Sequence, residues 1–346
     1  MKVFITGGAG FVGANVADRH LSQGDEVVVF DNFSRQGTRG NIDWLRSRHG
    51  DRLRIVHGDI RDPGGLRDAL APDTDRVYHL AAQVAVTISL RDPREDFEVN
   101  ALGTFNVLEA VRHSAPEAVL LYASTNKVYG GMESVQIVEE DTRYRYADRV
   151  GISEEQPLDF HSPYGCSKGA GDQYVRDYAR IYDLRTVVLR QSCIYGSRQM
   201  GQEDQGWLAF FCIASRLGVP ISIYGNGKQV RDVLWIDDLL EAYDAAATNI
   251  DRSSGQIYNI GGGPANTLAV WAEFGPILEE LAGRTIAVDY REWRAGDQPV
   301  YISDIAKAER ELGWRPQVSA RDGVERLWRW VDANTELFSR LMPVRI

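Results

Sequence analysis

The sequence predicts an α/β protein in which a doubly wound parallel sheet is followed by a smaller α/β region. Three observations lead there. Short apolar runs alternate with amphipathic stretches through the first half of the chain, as successive βαβ units require. The first of these runs ends in a glycine-rich turn that opens a helix. After about residue 196 the alternation stops, and helices are separated by short strands and glycine turns. The expected division is therefore 1–195 for the sheet and 196–346 for a smaller ligand-binding region, with segments free to interleave.

In order along the chain, the apolar runs 2–6, 26–30, 53–57, 76–80, 119–123 and 185–189 read as strands. The amphipathic stretches 12–23, 41–49, 63–71, 95–114 and 164–182 read as the helices between them. A connection at 130–160, rich in Glu, Arg, Tyr and Asp, reads as a surface insertion. Further helices are expected near 205–217, 237–249, 268–282, 304–312 and 320–337. The cleft between the two parts is where such a fold binds ligands.

Composition narrows the function. With 44% hydrophobic residues the chain can bury a substantial core. A formal charge of −10 and the lack of a long basic run argue against nucleic acid or an anionic membrane as partner, whereas a few placed arginines suffice for a small phosphorylated ligand. No stretch reaches the roughly 20 apolar residues of a membrane span, and Met1–Ile5 is too short an apolar run for a signal peptide. The expected location is the cytoplasm. The three cysteines, Cys166, Cys193 and Cys212, are odd in number and lack metal-ligand spacing, so they read as reduced packing residues and no metal site is expected.

The first strand runs into Thr6-Gly7-Gly8-Ala9-Gly10-Phe11-Val12-Gly13. Gly7 and Gly10 let the backbone turn tightly against a pyrophosphate, Gly13 lets the helix lie close on the strand, and the free N–H groups around Phe11 and Val12 receive the anion. Asp31, at the end of strand two, is placed to accept hydrogen bonds from an adenosine ribose and to repel an added 2′-phosphate, which favours NAD over NADP. Asn32, Ser34 and Arg35 follow it, and Arg35 is a cation that a phosphate would use. Asp59 and Ile60 end the third strand, where an acid and an apolar residue can flank adenine; Leu80, Ala81 and Gln83 end the fourth, where small residues let a dinucleotide pass.

Tyr164 and Lys168 share one face of a helix at a spacing of four. An ammonium beside a phenol lowers the phenol pKa, giving a tyrosine that exchanges protons near neutrality. The strand before it ends in Ser124-Thr125, which brings hydroxyls to the carboxyl edge of the sheet. Hydroxyl, phenol and ammonium downstream of a dinucleotide turn suit the removal of a hydride and a proton from one alcohol carbon.

These features together resemble the extended short-chain dehydrogenase/reductases, the NAD-dependent epimerase/dehydratase family, from residue 1 to about 330. The resemblance includes Asp31-Asn32, Asn100 with Gly103-Thr104, Val128-Tyr129-Gly130, Tyr164 with Lys168, and Gly225-Asn226-Gly227 leading to Arg231-Asp232. It implies a Rossmann-type sheet, Tyr164 as catalytic base and acid, Lys168 on the nicotinamide ribose, Thr125 on the reacting oxygen, and Asn100 and Ser124 beside the cofactor. It also implies a nucleotide-diphosphate sugar as substrate, with Arg231 and Arg294 on its diphosphate and Asn126, Lys127, Ser192, Gln199 and Trp207 around it. A homo-oligomer, dimer or tetramer, is implied through the helices 95–114 and 164–182.

Where related 4,6-dehydratases carry Asp and Glu after the threonine, this chain has Asn126 and Lys127. An amide cannot protonate a leaving hydroxyl, and a lysine needs a strongly depressed pKa to act as base. Elimination is disfavoured, the glutamate usual in the family's decarboxylases is missing, and what remains is hydride out and hydride back, which is epimerisation. The runs 124–130, 159–169, 204–207 and 225–234 are similar to family members that invert C2 of a CDP-linked sugar. Cys193, two residues before Tyr195-Gly196, stands where relatives commonly carry an Asn near the substrate phosphates. The alternatives are a nucleotide-sugar 4-epimerase and a non-catalytic NAD-sensing module.

Overall fold

Six of the seven strands of the main sheet come from the first 191 residues, and the seventh arrives from much later in the chain. The computed structural model describes residues 1–294 and 297–341. The strands are β1 (Lys2–Thr6), β2 (Glu26–Asp31), β3 (Leu53–His57), β4 (Arg76–His79), β5 (Val119–Thr125), a hairpin of β6 (Ile137–Glu139) and β7 (Tyr144–Tyr146), then β8 (Thr186–Gln191) and β9 (Cys193–Tyr195). Beyond them lie β10 (Ile221–Tyr224), β11 (Val230–Trp235), β12 (Ile257–Ile260), β13 (Thr267–Ala269), β14 (Val288–Arg291) and β15 (Val300–Tyr301).

The main sheet has the order β12-β8-β5-β4-β1-β2-β3, and every pairing in it is parallel. Both faces are covered, so the strands are apolar on both sides. Val3, Ile5, Val27 and Val29 pack into one buried cluster, while Phe4, Phe30, Val77 and Leu120 pack into the other, as the alternation of strand side chains dictates. The helix Phe11–Gln23 buries Ala14, Ala17 and Leu21 against the first face and stops at Gly24, whose φ of 94° lets its N–H reach the Leu21 carbonyl at 3.2 Å. The chain winds outward in opposite directions from β1 and β4, and this reversal opens a crevice at their carboxyl ends.

Five stretches differ from the sequence reading. The span 95–114 comprises part of a short helix (Pro93–Phe97), a π turn (Glu98–Leu102) and the helix Gly103–Ser114. The span 268–282 begins as β13, and its helix is confined to Phe274–Ala282. The last helix is broken at Asn334 into Ala320–Ala333 and Thr335–Leu341. The insertion 130–160 is more than surface: Met132, Val135, Tyr146 and Ile152 share a buried cluster with Val230 and Val300. Its apolar residues are dispersed among charges, which hides the pattern. β12 was absent from the sequence reading because Asn259 interrupts its short apolar run; in the fold that amide accepts from the Tyr129 hydroxyl at 2.7 Å and donates to the Ile152 carbonyl at 2.8 Å. Among the described residues no helix is long and apolar enough to cross a membrane. Cys212 is buried as a packing residue would be, Cys193 is half-buried, and Cys166 is exposed, contrary to a packing role.

Candidate active site

The glycine turn between β1 and the helix Phe11–Gln23 forms one wall of a cleft of about 400 Å³, within the range of small-molecule sites. Gly7 has φ 70°, and a Cβ there would stand 2.6 Å from the Ala81 nitrogen; a Cβ on Gly13 would stand 2.3 Å from the Gly7 carbonyl oxygen. Side chains at these two places would fill the cradle. Gly10 precedes the helix without any side-chain cap, leaving first-turn N–H groups for an anion. Asp31 sits across the cleft. Its Oδ2 accepts the Ala9 N–H at 3.0 Å and its Oδ1 the Phe33 N–H at 2.8 Å, so each oxygen keeps a lone pair for a ribose hydroxyl. Burial pushes the Asp31 carboxyl above its ordinary pKa.

Phe11, Val12, Asn32, Ser34, Arg35, Asp59, Ile60, Leu80, Ala81 and Gln83 line the same cleft. Asn32 donates to Asp59 at 3.0 Å, and the Arg61 guanidinium, 2.7 Å away, holds the Asp59 carboxyl far below the usual carboxylate range. Asp31→Ala is expected to weaken NAD binding roughly ten- to a hundredfold, the worth of hydrogen bonds to a charged group, and to narrow the gap between NAD and NADP. Fluorescence titration with both cofactors measures this; a wild-type protein that prefers NADP would end the role given to Asp31.

Part of this cleft was not legible in the sequence. Arg198, Met200 and Gln205 come from the connection after β9 and reach the stretch after β2. Arg35 donates to the Gln205 side-chain oxygen. Met200 packs on Gly37, where a Cβ would meet its Cγ at 2.5 Å, and Arg198 lies 4.0 Å from the centre of the Trp44 ring. Arg35 is therefore spent on roofing the cleft.

The three residues expected to be catalytic converge at the end of β5. Tyr164 and Lys168 lie on the first turns of the helix Ser162–Tyr182, and the Tyr164 N–H donates to Ser89 Oγ at 3.2 Å. Thr125, the last residue of β5, faces the Tyr164 phenol closely enough to oppose the rise of its pKa, and its hydroxyl donates to Asn126 Oδ1 at 3.4 Å. Lys168 Nζ donates to the Ala123 carbonyl at 2.6 Å and lies 4.3 Å over the Tyr122 ring. Burial pushes Tyr164 up to about 12 and Lys168 down to about 7. The expected lowering of the phenol by its lysine is therefore absent in the protein alone: the ammonium is turned to a carbonyl, and desolvation opposes charge on both groups.

Asn100 and Ser124 do not take the places expected of them. Asn100 is buried by the π turn and holds the Gln83 loop, accepting the Gln83 N–H and donating to its carbonyl, each at 2.9 Å. Asp96, which the sequence reading missed, ties this loop to the catalytic helix: it accepts from Gln83 at 2.8 Å, from Asn100 at 3.1 Å and from Ser167 at 2.5 Å. Ser124 alternates with Thr125 on β5 and donates at 2.7 Å to Asp172, farther along the helix that carries Tyr164 and Lys168.

On the substrate side, Asn126 and Lys127 follow Thr125 on a single 3-10 turn, Asn126–Tyr129. Ser192 is turned away to Asp232, to which its hydroxyl donates. Gln199 belongs to the wall of the cofactor cleft. Trp207 packs edge-on against Phe274 and Phe211, with ring centres at 5.3 and 5.9 Å, so most of its ring is core. The two expected diphosphate arginines already hold carboxylates: Arg231 donates to Asp297 at 2.6 Å, and Arg294 lies 3.5 Å from Asp204 while stacked 3.9 Å over Tyr224. Asp297 and Gln298, missed in the sequence, stand beside Lys127 and Arg231.

The family model described as GDP-mannose 4,6 dehydratase matches residues 4–327. The chain belongs to the NAD-dependent epimerase/dehydratase family. Among relatives of this family, a CDP-paratose 2-epimerase of Salmonella typhi is 44% identical over 340 residues, covering 96% of this chain and 100% of that protein. A dTDP-glucose 4,6-dehydratase of Streptomyces venezuelae, solved with NAD bound, superposes with a TM-score of 0.83 at 31% identity, covering 99% of this chain and 100% of that one. A UDP-glucuronic acid 4-epimerase of Bacillus cereus, solved with its nucleotide sugar and NAD, gives a TM-score of 0.83 at 27% identity, with 96% and 99% covered. NAD is the cofactor of the family, and the Gly7–Gly13 turn with Asp31 is the part of this member shaped to hold it.

Proposed function

We propose that this family member is a nucleotide-sugar 2-epimerase that inverts C2 of a CDP-linked sugar, in the manner of CDP-paratose and CDP-tyvelose, with NAD retained through turnover. The observation that carries the reading is the turn after β5: Thr125 stands against Tyr164, while Asn126 and Lys127 occupy the places an eliminating enzyme needs for acids. The 44% identity to a CDP-paratose 2-epimerase supports the same carbon and base.

When bound, NAD supplies a hydride acceptor that returns what it takes. Tyr164, as phenolate, removes the C2 hydroxyl proton as the C2 hydride departs, so that a 2-keto sugar forms. Thr125 Oγ1 steadies the reacting oxygen, and Lys168 holds the nicotinamide ribose. After the sugar turns over, Tyr164 gives the proton back to the oxygen and hydride returns to the opposite face of C2. The diphosphate must stay anchored during that turn, a task suited to Arg231 and Arg294 once they exchange carboxylate for phosphate. A homo-oligomer fits the same reading: Phe105, Tyr174 and Ile181 are exposed apolar side chains on the helices Gly103–Ser114 and Ser162–Tyr182, a surface suited to a second copy of this chain.

Product and substrate are expected to have equal mass, and deuterium at C2 to slow turnover and remain with its own sugar, so that mixed labelled and unlabelled substrate shows little crossover. Deuterium at C4 is expected to be without primary effect. NMR and mass spectrometry of products from CDP-, UDP-, GDP- and dTDP-sugars check this. Loss of water would restore a dehydratase, label leaving C4 would make the enzyme a 4-epimerase, and no reduction of bound NAD by any sugar would leave a sensing module.

A further inference from the structure

Lys127 follows the Thr125 hydroxyl by two residues, and among the described residues its side chain has no counterion of its own. Its backbone N–H donates to Thr125 Oγ1 at 3.3 Å, which ties the turn to the catalytic hydroxyl. Its Nζ donates to Gln298 Oε1 at 3.4 Å, and among the described residues no carboxylate lies within 4.0 Å of it. Arg231 and Arg294, by contrast, each hold a carboxylate. Lys127 and Arg231 both act on Asp297, so two basic side chains share one carboxylate and the cluster is short of negative charge. The turn that carries Lys127 cannot yield easily. Gly130 closes it at φ 66°, and a Cβ there would stand 1.9 Å from the Asp159 carbonyl oxygen; Gln298 also donates to the Gly130 carbonyl.

We infer that Lys127 binds the phosphate nearest the sugar and thereby selects C2 as the carbon presented to Thr125 and Tyr164. The inference rests on the 2-epimerase reading and adds the residue that sets the carbon. The anomeric C1 of a nucleotide sugar carries the diphosphate. C2 is bonded to C1, whereas C4 lies across the ring. With the reacting oxygen held at Thr125 and Tyr164, an anion anchor only two residues past Thr125 matches a carbon adjacent to C1. An anchor for C4 chemistry must stand a ring's width farther off. An ammonium is also the suitable cation. It acts as a point charge with three rotatable donors, one of them used, and so imposes no fixed fork on the phosphate while the sugar turns about its linkage.

The test separates diphosphate from monophosphate. CDP and CMP, and the corresponding uridine, guanosine and thymidine pairs, are titrated calorimetrically into the NAD-loaded wild-type protein, and the tightest pair is carried forward. Lys127→Met is expected to bind that nucleoside diphosphate roughly ten- to a hundredfold more weakly, the range of a charge-assisted hydrogen bond, with the monophosphate unchanged. Lys127→Arg is expected to restore most of the preference. NAD titration verifies that each variant is folded, and Lys127→Gln takes the place of Met if that variant is not. Equal weakening of both nucleotides, or of neither, overturns the inference. If wild-type product shows inversion at C4, the 2-epimerase reading falls and this inference with it; inversion at C2 with an unmoved diphosphate preference removes only the role of Lys127.

Discussion

Tyr164→Phe is expected to lower turnover by roughly 10²–10⁴, with the fold and most NAD binding intact. In the proposed mechanism the phenol carries the substrate proton, while Lys168 donates to the Ala123 carbonyl and serves the cofactor ribose. Removing the hydroxyl oxygen leaves the ring in place on its helix, and the backbone bond to Ser89 is untouched. The buried phenol lies up at about 12 in the protein alone, so its ionised fraction rises with pH, and the rate at limiting substrate is expected to rise with pH on its acid side. Lys168, pushed down to about 7, works in the same direction against stability at low pH. Its folded pKa is below its unfolded value, so the unfolded chain binds more protons between the two, and folding stability gains as pH rises through that window. Near-normal turnover of Tyr164→Phe at any pH would remove the mechanism.

The largest stability effect is expected at Asp172. Its carboxylate takes both Arg190 Nε and Nη2 at 2.9 Å, and the Ser124 hydroxyl at 2.7 Å, with the two charged side chains almost wholly buried. Arg190 Nη1 continues to the Tyr129 hydroxyl at 3.0 Å, and that hydroxyl donates to Asn259. One network thus fastens the helix Ser162–Tyr182 to β5, β8 and β12. Asp172→Ala strands a buried guanidinium, and about 3–5 kcal/mol of stability should be lost. Replacing both partners, Asp172→Leu with Arg190→Met, should recover most of it, since no buried charge is then left unpaired. Urea denaturation of the single and double variants measures this. A single variant as stable as wild type would show that the pair is not the clamp described.

Most of the sheet was legible because each of its first six strands is a short apolar run bounded by polar punctuation, and boundaries moved by one or two residues at most. The glycine turn, Asp31 and the Tyr164–Lys168 pair were legible for a related reason: each is local, and its spacing alone states its geometry. What the sequence concealed is non-local. The Asp96–Gln83–Asn100–Ser167 network joins three elements, and nothing near Asp96 in sequence marks it. The meeting of Lys127 with Asp297 and Gln298 spans 171 residues between Lys127 and Gln298. Ser124 and Ser192 were misplaced because a hydroxyl near a strand end can face either side, and buried carboxylates drew both away. The phenol pKa went the other way from expectation because local spacing reports proximity of a cation but is silent on desolvation.

The roof over the cofactor cleft bears on how such an enzyme would live in a cell. Arg35 joined to Gln205, and Met200 seated on Gly37, tie the two sides of the crevice together across its mouth. Were a dinucleotide to lie beneath them, it would leave only when those ties part. Each molecule would then keep one NAD that borrows a hydride from the sugar and returns it at every turnover, so its throughput would not track the ratio of oxidised to reduced pyridine nucleotides outside. The same arrangement sets a hazard. If the keto sugar escapes before its hydride returns, the molecule is left holding a reduced cofactor that it cannot readily trade. It stays silent until a keto sugar comes back or the roof opens.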